Sequence, residues 1–465
     1  MNPISDPTSR RGHRRAMMLS AMVLPAMVLA ATLAGCARYV PRPIDPATAA
    51  TRLAARRLDD PALLRFLAAM GDAAPRWGIG TLTLVAVFER PELRIAVANR
   101  EIAQGGLIAA TALPNPTLGL SPTYNTGTSL PSPIKIGPIV DFVIGSFGAR
   151  AADAAAARAR IAGARAAIRT AAWHERARVR DALLAVWQAR AGAAIADQAA
   201  RTAAASQSVL AQRFAAGMIA APLLTAGQIA AEQARFAATE ASRRTSLAMT
   251  RLAAAIGMPV AALDGVRLDL AAFDTAPPTG DVAALARAAL IDRPSVRAAL
   301  EQYRAAQDRL RAAIDRQYPG FTIGPGYHYD QGDNKFLLAL SVPLPVFNQN
   351  QGPIAIARAE RRRAAARFDA AQQRVLAMID RARADLRTSD AALRSADRSA
   401  AGADRSAEAA AQAFRAGASG RLGLLGAQQA SIVARQEALV ARGQDLAAIG
   451  RLEDALHHRF FRSTT

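Results

Sequence analysis

The chain of 465 residues has a single cysteine, which rules out an internal disulfide framework. Its five histidines, His13, His174, His328, His457 and His458, lie far apart except for the last pair. No cysteine or acidic residue joins them at a metal-ligand spacing, so no metal site is expected. His457 and His458 are read as the end of a helix, where a cation suits the dipole. No nucleophile, base and orienting acid come together in the sequence. Gly324-Pro325-Gly326 is not followed by a helical stretch, so it is not a phosphate loop. An enzyme is the class with least support.

Lysine is almost missing too. Lys135 and Lys335 are the only two, and the formal charge of +21 is carried by arginine. These arginines are spread along long helical stretches instead of clustering with aromatics, which argues against a nucleic-acid binder. A basic surface of this kind suits anionic head groups or anionic cargo. Proline is absent from Gly148 to Ala216, where alanine and arginine dominate and only Gly163 and Gly192 interrupt. Some 65 residues of helix would run about 100 Å, more than a globular core needs. Apolar residues recur every seven positions, as Ile161 to Ile168 and Ile379, Leu386 and Leu393, the spacing of side-by-side packing. A second such helix is expected from about Ile354 to Ala416. Return helices are expected over 222–256 and from Leu422 to about His458.

The clearest feature present is a repeat. Phe214, Gly217, Leu224, Gln228, Ala234 and Arg235 recur 200 residues later as Phe414, Gly417, Leu424, Gln428, Ala434 and Arg435. Arg90-Pro91 returns as Arg293-Pro294, and Pro114, Thr117 and Gly119 return as Pro319, Thr322 and Gly324. Two half-molecules in tandem follow. Each half contains two segments of period two, hence strands with one apolar and one polar face. They are placed at about 116–125, 134–146, 320–330 and 335–346. Ile134, Ile136, Val140, Phe142 and Ile144 make one apolar face, Phe321, Ile323, Tyr327 and Tyr329 another, and Phe336, Leu338, Leu340, Val342 and Leu344 a third. Strands of roughly 10 residues match a tilted bilayer crossing. Four strands cannot close a barrel in lipid, where the smallest have about eight, so other copies must complete it. Three chains, giving about twelve strands, are the simplest symmetric closure. The glycine turns at Gly217 and Gly417 end each long helix at tips remote from the strands.

The N-terminus carries a targeting segment: Arg10, Arg11, Arg14 and Arg15, an apolar run, then Leu33-Ala34-Gly35-Cys36. The last four resemble the bacterial lipobox, which implies a lipid on Cys36, the only covalent group expected and the only cofactor-like one. Ala37 in place of an aspartate directs such a lipoprotein to the outer membrane. The organisation expected is a signal peptide (1–35), a tether and equatorial segment (36–75), a first repeat (76–256), an equatorial linker (257–280) and a second repeat (281–465).

Together these residues resemble the TolC family of outer-membrane efflux proteins from Cys36 to the C-terminus. The marks are Pro343-Leu344-Pro345-Val346-Phe347-Asn348-Gln349-Asn350-Gln351-Gly352, the paired Arg90-Pro91-Glu92-Leu93 and Arg293-Pro294-Ser295-Val296, and the two Phe-x-x-Gly tips. The resemblance implies a mainly α fold with a small β-barrel part: long helical hairpins and four transmembrane strands per chain, a tandem repeat, and a homotrimer with a twelve-stranded barrel. It implies an outer-membrane channel extending into the periplasm, which conducts substrate from an inner-membrane efflux pump through a periplasmic adaptor. It places adaptor docking at Gly217, Leu224, Gly417 and Leu424. At the tunnel entrance, where some members carry acids, this chain has Gly423 and Gly426 with Arg415 and Arg421 nearby. The rival reading is a periplasmic coiled-coil lipoprotein without a pore; no nucleic acid is expected in either.

Overall fold

A computed structural model describes residues 37–127, 133–330 and 332–461. The signal segment 1–35 and the lipidation position Cys36 lie outside the described residues, as do parts of both strand turns.

The chain divides into two units, residues 1–55 and Arg56 onward. In the first, helix α1 (Pro46–Ala54) starts at Asp45, whose carboxylate accepts from the N–H groups of Ala47 and Thr48 at 3.2 and 3.0 Å. The larger unit opens with α2 (Pro61–Ala69), capped in the same way by Asp60. An aspartate at the cap with proline at the first helical position starts both helices within the stretch read as a tether and equatorial segment.

Two helices precede each strand pair. They are α3 (Ile79–Glu89) and α4 (Pro91–Thr111) in the first half, α7 (Val282–Asp292) and α8 (Pro294–Asp315) in the second. The break falls at Arg90-Pro91 and Arg293-Pro294, where the arginines are extended, with ψ of 143° and 133°. Proline disfavours helical backbone in the residue before it and suits the first position of the next helix. The long helices α5 (Ala149–Ala215) and α9 (Gln351–Arg415) have 67 and 65 residues, and the return helices α6 (Ala221–Ile256) and α10 (Arg421–Leu456) have 36 each. At 1.5 Å per residue the long helices reach about 100 Å.

Six strand pieces form one antiparallel sheet: β1 (Thr117–Leu120), β2 (Thr123–Tyr124), β3 (Ile134–Ile136), β4 (Pro138–Ile144), β5 (Phe321–Asp330) and β6 (Asp333–Ser341). In register they amount to four strands. β3 and β4 keep a single alignment with β5, from Lys135↔Asp330 and Ile136↔Tyr329 on through Ile139↔Gly326 to Ile144↔Phe321. β1 and β2 likewise share one alignment with β4 and β3, from Thr117↔Asp141 to Tyr124↔Ile134. The gaps have local causes. Pro122 has no N–H for the ladder. At Gly137 a Cβ would stand 1.9 Å from the Tyr327 carbonyl oxygen, so the two backbones meet closer than a side chain allows.

Helices lie side by side in the order α4, α5, α8, α9 near the sheet, and α6, α5, α10, α9 toward the tips. The main core forms where α2 and α3 pack onto α5, α6 and α10, through Leu63, Leu82, Leu183, Leu252, Leu446, Phe273 and Phe461.

Candidate functional site

Three places carry the chain's functional potential: the sheet faces, the hairpin tips and the belt of charge between them. In the sheet, cross-strand partners share a face. Leu118 pairs with Val140, Phe142 with Ile323, Ile323 with Leu340, and Tyr327 with Phe336. One apolar surface therefore runs across all four strands, built from the residues whose alternation was legible in the sequence. On the edge strand β6, Phe336, Leu338 and Leu340 are 85%, 72% and 68% exposed, so nothing in the single chain covers them. The opposite face carries Thr117, Lys135, Asp141, Thr322, His328, Asp330 and Lys335, interspersed with Ile139, Val143 and Leu337. There the two lysines converge on one carboxylate, Lys335 Nζ at 2.8 Å and Lys135 Nζ at 3.9 Å from Asp330 Oδ2.

At the tips the two turns are built alike. Gly217 and Gly417 both have φ of +71°, a backbone state that suits glycine. Met218 N–H donates to Arg213 O (2.8 Å) and Gly217 N–H to Phe214 O (2.9 Å), with Ala418 to Ala413 (2.9 Å) and Gly417 to Phe414 (3.1 Å) in the second turn. This paired closure satisfies the last carbonyls of each long helix. A Cβ at either glycine would meet open space, and Phe214, Met218, Leu223 and Phe414 stand exposed around them. Leu224 and Leu424 are half-buried. Arg213 of the first tip lies 3.4 Å from where a Cβ on Gly420 would stand, so the two tips are neighbours. Arg415, Arg421, Gly423 and Gly426 are all exposed on the second hairpin, and Arg415 Nε–H donates back to Ala411 O at 3.2 Å.

The belt of buried charge was not singled out from the sequence. Glu453 on α10 is fully buried; Arg180 Nη1 donates to it at 3.2 Å and Arg176 forms a second ion pair with it. Its other oxygen accepts from the N–H groups of Phe460 and Phe461 at 2.8 and 2.9 Å, tying the C-terminal segment to α10. Arg180 also reaches Asp454 (2.8 Å) and Asp181 (2.8 Å). Burial pulls the Arg176 guanidinium down to about 10, still charged at neutral pH. Gly450 makes room: a Cβ there would stand 2.9 Å from Arg180 Nε.

The duplicated Arg-Pro pairs acquire a role here. Arg90 donates to Ala254 O (2.9 Å) and Arg293 to Asp454 O (3.2 Å), so each holds a carbonyl in the last turn of a return helix. A cation there complements the negative end of the helix. The repeat of the motif was the signal for this, although its target was not. One expectation is corrected. His457 does end α10, but it stacks on Trp173 with ring centroids 4.0 Å apart, and burial, with Arg293 nearby, lowers its pKa to about 4. It is neutral at pH 7, so it does not complement the dipole as a cation. Among the described residues no group of histidine, cysteine and acidic side chains could hold a metal, and no helix is long and apolar enough to cross a membrane.

Residues 285–457 match the model of the outer membrane efflux protein family. Among solved structures, the outer membrane protein VceC of Vibrio cholerae is similar over 82% of this chain and 96% of its own, with a TM-score of 0.67 and 18% identity. The open-state MtrE outer membrane channel of Neisseria gonorrhoeae aligns with 83% of this chain and 90% of its own, at a TM-score of 0.63 and 20% identity. The CmeC outer membrane channel of Campylobacter jejuni aligns with 83% and 87%, at 0.64 and 14%. No curated protein matches the sequence. The resemblance to the TolC family of outer-membrane efflux proteins holds, in fold over four-fifths of the chain and in family over residues 285–457.

Proposed function

We propose that this chain is the outer-membrane channel of a tripartite efflux system, a homotrimer whose sheets join in a twelve-stranded barrel and whose helical hairpins line a periplasmic tunnel. The observation that carries this is the sheet: one face is apolar across every strand, the other holds the charged and hydroxyl side chains together with Ile139, Val143 and Leu337, and both edges are unpaired. The apolar face is unfavourable in water and the unpaired edges are unfavourable in lipid; closure by further copies pairs the edges, and lipid covers the apolar face. The tandem halves supply equivalent staves. Cargo passes under force from an inner-membrane pump, and the chain itself catalyses nothing. A lipid on Cys36 tethers the N-terminus to the outer membrane.

The docking surface for the periplasmic adaptor is assigned to the tips around Gly217, Leu224, Gly417 and Leu424, with Arg415, Arg421, Gly423 and Gly426 at the tunnel entrance. There is open space for a large side chain at either glycine, and a side chain at φ of +71° costs about 1–2 kcal/mol in the turn; Gly217→Trp or Gly417→Trp should block docking while the unheated oligomer band on a gel persists. Restoration of drug or metal resistance by both variants in a deletion strain would refute the docking assignment. The channel reading is tested by conductance of the purified protein in planar bilayers, together with heat-modifiable migration on a gel. A poreless coiled-coil spacer gives neither. Topology has its own handle: apart from the chain's N-terminus, Lys135 and Lys335 are the only amines. A membrane-impermeant amine reagent applied to intact cells should modify those two positions if that end of the sheet faces outward.

A further inference from the structure

Some arginines of the helices pair with a carboxylate one turn away, as in Arg304 with Glu301, Arg243 with Glu240 and Arg394 with Asp390. One cleft gathers four arginines around a single acid. Where α5, α8 and α9 lie side by side, Arg160, Arg309, Arg363 and Arg367 surround a space of about 480 Å³ floored by alanines, with Gln302 at its wall. Glu360 is the cleft's only acid. It is shared loosely, 3.9 Å from Arg309 and 3.6 Å from Arg363. Arg160 and Arg367 form no ion pair among the described residues, and Arg160 is disfavoured as a cation by burial first and by Arg309 second.

Four guanidiniums against one carboxylate leave three positive charges facing the same space. Arg160, Arg363 and Arg367 are exposed and Arg309 is half-buried, so the charges are hydrated in the empty cleft and available to an anion, with their mutual repulsion partly screened. Guanidinium forks match a tetrahedral oxyanion, several of them reaching different oxygens of one phosphate. We propose that this cleft is a binding site for a phosphate group. Arg160 and Arg363 stand 11 and 12 residues into their helices from the strand ends, about 16–18 Å along the axis. At that depth the phosphate can come from free solution or from a lipid head group. Only the second source rests on the channel reading; the binding itself does not.

The test is thermal unfolding and native mass spectrometry of the full chain, delipidated in neutral detergent. It is titrated with inorganic phosphate, with phosphatidylglycerol, or with phosphatidylcholine as zwitterionic control. The wild type should be stabilised by phosphate, phosphatidylglycerol or both, and which of them binds identifies the source. Arg160→Gln and Arg367→Gln remove no ion pair and should fold. Each should weaken apparent affinity by about tenfold, the worth of a charge-assisted hydrogen bond. In the absence of ligand, the double variant should unfold no earlier than wild type, because a repulsion has been relieved. Absence of any response to phosphate and phosphatidylglycerol in the wild type, or an equal response in the double variant, overturns the proposal. A conductance failure with phosphate binding intact would instead overturn the channel reading alone.

Discussion

Helices α6 and α10 have the same length, follow the same glycine turn and return along equally long partners, yet they live in different surroundings. Along α10, fifteen residues are buried; along α6, six are. The difference is one of neighbours, since α10 lies between α5 and α9 whereas α6 touches only α5 among the long helices. The pair α4 and α8 repeats the lesson. α8 buries Val296, Leu310 and six smaller or cyclic residues, while α4 buries none and leaves Ile95, Ile102 and Ile108 exposed at 58%, 72% and 72%. First-half α4 and α6 stand at one edge of the helical layer and second-half α9 at the other, and β1 and β6 stand at the edges of the sheet. Equivalent sequences with unequal burial are what the proposed closure by further copies would even out.

The largest test of that contrast is in the enclosed helix. Glu453 balances two buried arginines, whereas 200 residues earlier α6 carries the buried, uncharged Ala253. Glu453→Ala leaves Arg176 and Arg180 without their shared anion and should cost about 3–5 kcal/mol. Ala253→Gly should cost about 1 kcal/mol, the difference in helix propensity. Thermal or denaturant unfolding of the two variants in detergent gives both numbers. If Glu453→Ala is no worse than Ala253→Gly, the buried charge belt does not anchor α10.

A smaller effect is expected at the open edge. Ile95 and Ile102 are seven residues apart, both exposed, on a helix that buries nothing in the single chain. That is the spacing of a packing seam without a partner. Ile102→Glu removes no contact within one chain, so any loss of stability must come from another copy. Burying such a side chain is worth about 1.5–3 kcal/mol per site. The unheated trimer band should therefore dissociate at lower temperature. Unchanged dissociation would place α4 outside the interface.

How much of this was legible beforehand depended on the range of the interaction. The period-two stretches named the sheet faces because alternation is a local property, and register then aligned one apolar face across β1 to β6. The absence of proline gave α5 its full length, and the duplicated glycines marked both tips. Arg90-Pro91 and Arg293-Pro294 were visible as a repeat, but their targets, Ala254 O and Asp454 O, lie 164 and 161 residues away along the chain. The partnership of Glu453 with Arg176 spans 277 residues. In a chain with so many arginines and acids, sequence spacing cannot select such pairs. The same limit hid the phosphate cleft, whose arginines come from three helices.

An effect that appears only on acidification is set by one residue at the foot of each return helix. Gly257 and His457 occupy equivalent ends, both left-handed, with φ of 75° and 53°. Glycine takes that conformation freely; a histidine there is held at a cost of roughly 1 kcal/mol or more. What offsets it is the stack on Trp173, in which the imidazole is neutral with a pKa of about 4 against an ordinary 6.5. Because the folded value lies below the unfolded one, this contribution is fully present above pH 6.5. It is lost as pH falls from there through about 4. His457→Gly removes both the strain and the titration. Its melting temperature should lie near that of wild type at pH 7.5 and fall less on acidification to pH 4.5, while wild type loses the additional increment. Equal acid sensitivity in the two proteins would mean that carboxylates alone set the pH response, and that the difference between the two helix ends is only conformational.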